Sequence, residues 1–155
     1  MKSRQHETLI LGLGNPLRGD DAVGLYLVEK LKERNILEVD FITLEERGLS
    51  LLDVISKYKK VIVVDAIFME DKKIGEVVEL EEGKINLYTV GSHYLGIEDV
   101  IEISRKIMNG LPEKVQLLGI VVEDFFQLRD GFTEKLFKKL PEIEENLVSK
   151  LLKIV

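Results

Sequence analysis

The segment Val61-Ile62-Val63-Val64 has no polar position, so neither of its faces can meet water if it is a strand. A strand of that kind lies inside a sheet, with other elements packed above and below it. The rest of the chain supplies them. Residues 8–13 form a second apolar run, broken by Gly12 and ending at Gly14. Residues 39–44 and 115–122 read as two further strands.

Between these runs the period changes from strand to helix. Val23, Leu27, Val28 and Leu31 recur at helical spacing, with Glu29, Lys30, Lys32 and Glu33 on the other side. Residues 50–57 predict a short helix, and Ile97, Val100, Ile101, Ser104, Ile107 and Met108 predict a longer one. Thr133 is placed to cap a last helix, whose Leu136, Phe137, Leu140, Leu147, Leu151 and Leu152 are expected to face inward, with Pro141 forcing a kink or restart. Residues 75–80 read as one more strand, which the charged turn 70–73 would fold back as a hairpin on the strand before it.

Strands alternating with helices give a mostly parallel sheet with helices on both faces, because right-handed crossovers put them there. The expected fold is α/β: a three-layer α/β/α sandwich of about five strands, one of them antiparallel. With 155 residues and 45% hydrophobic content, the chain has the size of a single domain, residues 1–155, with 1–7 expected to be a mobile tail.

Composition removes several functions. With no cysteine there is no disulfide, no thiolate metal site and no cysteine nucleophile. No apolar window approaches the roughly 20 residues of a membrane span, and no signal peptide is recognisable, so a soluble, cytoplasmic protein with no membrane association is expected. The 22 Lys and Arg against 28 Asp and Glu give a net charge of -6, which argues against nucleic acid as a partner.

In such sheets ligands collect at the carboxyl ends of the strands. The first strand runs into Gly12-Leu13-Gly14-Asn15-Pro16-Leu17-Arg18-Gly19-Asp20-Asp21. A dinucleotide site would need glycine where Leu17 stands, and Pro16 lacks an N–H to offer a phosphate. One of the acidic pair can serve as a helix cap, which leaves the other without a structural duty. Asp65 closes the aliphatic run of the central strand. His93, one of two histidines, lies in Gly91-Ser92-His93-Tyr94-Leu95-Gly96, just ahead of a helix. His6 lies in the tail and is assigned no role.

One carboxylate of the Asp20–Asp21 pair, Asp65 and His93 therefore make a mixed oxygen and nitrogen set, suited to nickel, zinc, manganese or iron. Three protein ligands leave coordination positions open for a substrate. Other hydrolase patterns are missing: Gly48-Leu49-Ser50-Leu51-Leu52 is not a Gly-x-Ser-x-Gly elbow, and there is no His-Glu-x-x-His.

At these residues the chain resembles the nickel-iron hydrogenase maturation proteases. The likeness rests on Gly12-x-Gly14-Asn15-x-Leu17-x-x-Asp20-Asp21, on Val64-Asp65-Ala66 and on Ser92-His93-x-x-Gly96. It implies an aspartyl-type endopeptidase that removes the C-terminal extension of a hydrogenase large-subunit precursor. Asp21, Asp65 and His93 are then the catalytic and metal-contacting positions, and the nickel they contact is supplied by the substrate. No organic cofactor is implied. Either a carboxylate activates water or the metal polarises the carbonyl.

The chain departs from the family pattern at Glu45-Glu46-Arg47-Gly48-Leu49-Ser50, where relatives carry a loop rich in glycine and threonine. In Ile120-Val121-Val122-Glu123-Asp124 it lacks a proline common in relatives. Two other readings compete. A non-catalytic nickel-sensing or chaperone-like module would use the same trio without cutting. A peptidyl-tRNA hydrolase-like esterase shares the Gly-Leu-Gly-Asn-Pro start but would need its histidine where this chain has Asp20-Asp21-Ala22.

Overall fold

The computed structural model describes residues 4–45, 48–88, 96–123 and 128–155. Five strands, β1 (Thr8–Leu13), β2 (Asp40–Leu44), β3 (Lys60–Ile67), β4 (Val77–Glu81) and β5 (Lys114–Val121), form one sheet in the order β2-β1-β3-β5-β4. The β2–β1, β1–β3 and β3–β5 pairs are parallel, and β4 runs antiparallel to β5. The helices are α1 (Val23–Arg34), α2 (Leu52–Ile55), α3 (Ile85–Tyr88), α4 (Ile97–Ile107) and α5 (Glu134–Ile154), with 3-10 turns at Gly19–Ala22 and Gly48–Leu51.

Side-chain alternation along β3 sorts the helices into layers. Ile62, Val64 and Ala66 face a core built with Leu27 and Leu31 of α1 and Leu140, Leu147 and Leu151 of α5. Val61, Val63 and Ile67 face the opposite core, with Ile55 of α2, Ile85 of α3 and Val100 and Ile101 of α4. Both faces of the central strand are covered, giving the expected three-layer α/β/α sandwich.

Local signals end the helices. Asn35 adopts the left-handed conformation (φ 49°) and donates its N–H to Leu31 O at 3.2 Å, stopping α1. At the start of α4 the Asp99 carboxylate accepts the Gly96 N–H at 2.7 Å. Thr133 caps α5, its hydroxyl accepting from Leu136 N at 3.4 Å.

Three expectations need correction. β4 does not form a hairpin with β3; it pairs with β5, because β3 already has β1 and β5 on its two edges. Pro141 does not restart the last helix, which runs as one element of 21 residues. The residue is exposed, so the N–H it lacks falls on the solvent side. Phe137 and Leu152 are exposed rather than inward, each lying one position outside the stripe Leu136, Leu140, Ile143, Leu147 and Leu151.

The described part of the N-terminal stretch is tied to the sheet. Asp40, at the start of β2, accepts the Gln5 N–H at 2.9 Å, lies 2.8 Å from His6 Nδ1, and accepts the Tyr58 hydroxyl at 2.8 Å. No helix of the described residues is long and apolar enough to cross a membrane.

Candidate active site

The β1–α1 loop is compact because its glycines let backbone touch backbone. A Cβ on Gly14 would lie 2.3 Å from Asp21 O, and one on Gly24 would lie 2.4 Å from both Leu13 O and Val64 O. The first turn of α1 is therefore pressed against the carboxyl ends of β1 and β3, and the 3-10 turn carrying Asp20 and Asp21 packs on β3. Asn15 shapes the loop: its side-chain oxygen accepts the Leu17 N–H at 2.9 Å and its carbonyl the Arg18 N–H at 3.0 Å.

The adjacent carboxylates have different tasks. Asp20 accepts the Thr133 N–H at 2.7 Å and the Thr133 hydroxyl at 2.8 Å, so both of its oxygens fasten the loop to the start of α5. Asp21 accepts the Asn15 N–H on Oδ2 at 2.9 Å and is 5% exposed. Asp20 is thus the structural member of the pair, and Asp21 is the carboxylate held inside its own loop. Neither caps α1 with its side chain, as the bland reading of an acidic first turn expects; Ala22 is the N-cap residue.

Asp65 lies within β3, which continues two residues past it to Ile67. It is wholly buried, it pairs in register with Gly119 of β5, and its Oδ1 accepts the Ala66 N–H at 2.9 Å. By alternation it points to the face that carries α2 and α4. Gly119 leaves the position beside it without a side chain, and that space is filled by Ile67, which a Cβ on Gly119 would approach to 2.5 Å.

Asp21 and Asp65 thus belong to one end of the sheet. His93 lies outside the described residues. Among the described residues no three His, Cys, Asp or Glu side chains group closely enough to hold a metal ion. At the opposite end of the sheet the Arg105 guanidinium meets Glu82 at 2.6 and 2.9 Å and holds its carboxyl below the usual range. That bridge ties α4 to β4 and β5.

Sequence reasoning missed Thr133 and Arg129 as neighbours of this loop. Arg129 forms a parallel bridge with Arg18 and accepts the Gly19 N–H at 2.9 Å, with Gly19 at φ +57°. Nothing local in the sequence announces contacts across more than a hundred residues. Gly19 was the one available hint, since a glycine is needed where φ is positive.

Comparison with known proteins agrees with the architecture and extends it. The hydrogenase maturation protease family profile (HycI) matches residues 25–150. The chain is 30% identical over 154 residues to a Methanocaldococcus jannaschii relative of the same description, covering 90% of this chain and 89% of that one. It is 32% identical over 120 residues to the hydrogenase 2 maturation protease of Escherichia coli, covering 74% and 73% of the two chains. The solved structure of the E. coli hydrogenase maturating endopeptidase HybD superposes with a TM-score of 0.76 at 26% identity, over 96% of this chain and 93% of that one. These relatives are named as peptidases, which decides against a non-catalytic module and against an esterase acting on tRNA. A peptidase by this kinship, the chain belongs to the hydrogenase maturation protease family.

Proposed function

We propose that this peptidase makes a single cut that removes the C-terminal extension of a hydrogenase large-subunit precursor, and that it recognises the precursor by nickel already bound to it. The observation that carries this reading is the burial of two carboxylates, Asp21 and Asp65, at the carboxyl end of the sheet in a chain of this family. Carboxylate oxygens are donors that a divalent cation brought by the substrate can take up. An imidazole from His93 would complete a donor set of oxygen and nitrogen that suits nickel.

On this reading the metal is part of the substrate. Three side chains leave positions open for the precursor's own ligands, so a precursor without nickel binds weakly and is spared. Recognition then acts as a check that metal insertion is complete.

The test incubates the protein with nickel-loaded and nickel-free precursor and reads the precursor's mass. The expected result is a shortened chain only with nickel, lost in Asp21→Ala, Asp65→Ala and His93→Ala. Equal cutting of the nickel-free precursor would remove the recognition claim, and retained cutting in those variants would remove the site assignment.

A further inference from the structure

The loops after β1 and β5 meet in the bridge between Arg18 and Arg129, with the Arg129 N–H donating to Leu17 O and the Gly19 N–H to Arg129 O, each at 2.9 Å. Bridge partners in parallel strands send their side chains to the same side, so the two arginines share one side. The residue before each is a leucine held in water: Leu17 is 68% exposed and Leu128 80%. Single exposed leucines are ordinary. These are not single, because Leu49 in the loop after β2 and Phe68 directly after β3 are also exposed. Each of the four parallel strands is thus followed by a large apolar side chain that is at least partly exposed, all at the end of the sheet that holds Asp21 and Asp65.

The charges are equally selective. Arg34 pairs with Glu144 and Glu145, and Arg105 pairs with Glu82. Arg18 and Arg129 make no ion pair among the described residues, although acids outnumber bases 28 to 22 in this chain. The stem of Arg129 lies across Gly19, whose Cβ position is 3.3 Å from Arg129 Cδ, so the pair stays beside the loop that carries Asp21.

We propose that this rim docks the protein substrate, seating an apolar side chain of the substrate on Leu17 and Leu128 and, on the other side of the bridge, a carboxylate of the same segment on Arg18 and Arg129. The inference rests on the endopeptidase reading above, since a chain reaching Asp21 and Asp65 has to cross the rim. Two arginines side by side bind a carboxylate in a fixed orientation. A second copy of this protein seated here would cover the site it surrounds, so the substrate is the better occupant.

The test compares the wild type with Leu17→Ser/Leu128→Ser, Arg18→Glu/Arg129→Glu and Arg18→Lys/Arg129→Lys. It measures the Kd for nickel-loaded precursor, the KM and kcat of cleavage, and the mass in solution. Leu17, Leu128 and Arg129 are exposed, Arg18 is half-buried, and the bridge uses backbone atoms, so each variant should keep the fold, which its melting temperature checks. The expected result is a rise of about tenfold or more in Kd and KM for the serine and glutamate pairs with little change in kcat. The lysine pair should recover part of the loss, and added salt should weaken wild-type binding more than that of the glutamate pair. Unchanged Kd and KM would overturn the proposal, as would a change confined to the oligomeric state. If the wild type binds precursor without cutting it, the endopeptidase reading fails and the rim stands. If it neither binds nor cuts, both fail.

Discussion

The Asp20 carboxylate holds Thr133 by both its amide, at 2.7 Å, and its hydroxyl, at 2.8 Å, joining the loop after β1 to the start of α5 across 113 positions of sequence. The same Thr133 hydroxyl accepts from Leu136 N, so one half-buried residue caps the last helix and fixes the loop that carries Asp21. Asp20→Ala should therefore cost about 1.5–3 kcal/mol in urea unfolding, as expected for hydrogen bonds to a charged group. It should also lower cleavage by moving Asp21. Asp21→Asn should lose cleavage with a much smaller change in stability. Equal stability losses in the two variants would contradict this division of labour.

Pro141 supplies a second expectation. It lies inside α5 on the exposed side and lacks the N–H that would bond to the carbonyl of Phe137, itself exposed. Replacing it with alanine restores that bond and removes the steric cost of proline in a helix, partly offset by a freer unfolded chain. Pro141→Ala should stabilise the protein by about 1–2 kcal/mol, read as a higher melting temperature. No gain would mean that α5 has already adapted fully to the proline.

The layers were legible because burial leaves a periodic trace. A strand with no polar residue, such as 61–64, had to be central, and helical stripes on either side of it had to be its cover. Pairing of β4 was not legible, because its partner is decided by which edge of the sheet is vacant, a property of the whole sheet. Phe137 misled for a related reason: apolar character is visible in sequence, whereas an offset of one residue from a helical stripe shows only when the stripe's centre is known. At the site, Asp65 stood out as the charge that follows four aliphatic residues. Asp20 is held by Thr133, which is remote in sequence, so the residues alone left the adjacent carboxylates alike and only the family resemblance favoured Asp21.

Asp40 provides a pH test away from the site. Burial raises its pKa, but hydrogen bonds from the Gln5 N–H, His6 and the Tyr58 hydroxyl outweigh this, and the folded carboxyl lies below its usual range. A folded pKa below the unfolded one means that the unfolded chain takes up the proton first. The stabilisation is therefore full above the ordinary carboxylate range, about pH 4, and fades as pH falls through the lowered value. Asp40→Asn should be less stable than the wild type at pH 7, and the gap should close towards pH 3. A gap independent of pH would show that the contacts matter by shape alone and not by charge.

Gly24 links the fold most directly to the chemistry. Its missing side chain lets α1 sit against the carbonyl oxygens of Leu13 and Val64, each 2.4 Å from where a Cβ would stand. Those two oxygens belong to β1 and β3, beside the loop of Asp21 and the residue before Asp65, and backbone cannot yield as a flexible side chain can. Gly24→Ala should push the start of α1 outward and cost about 2–4 kcal/mol, even though alanine is the better helix former by about 1 kcal/mol. The displacement falls on Asp21 and not on the rim leucines. Cleavage should therefore drop through kcat at a temperature where the variant is still folded, while precursor binding through Leu17 and Leu128 is largely kept. A variant that melts early yet cuts at the wild-type rate when folded would show that the position of α1 and the position of Asp21 are independent.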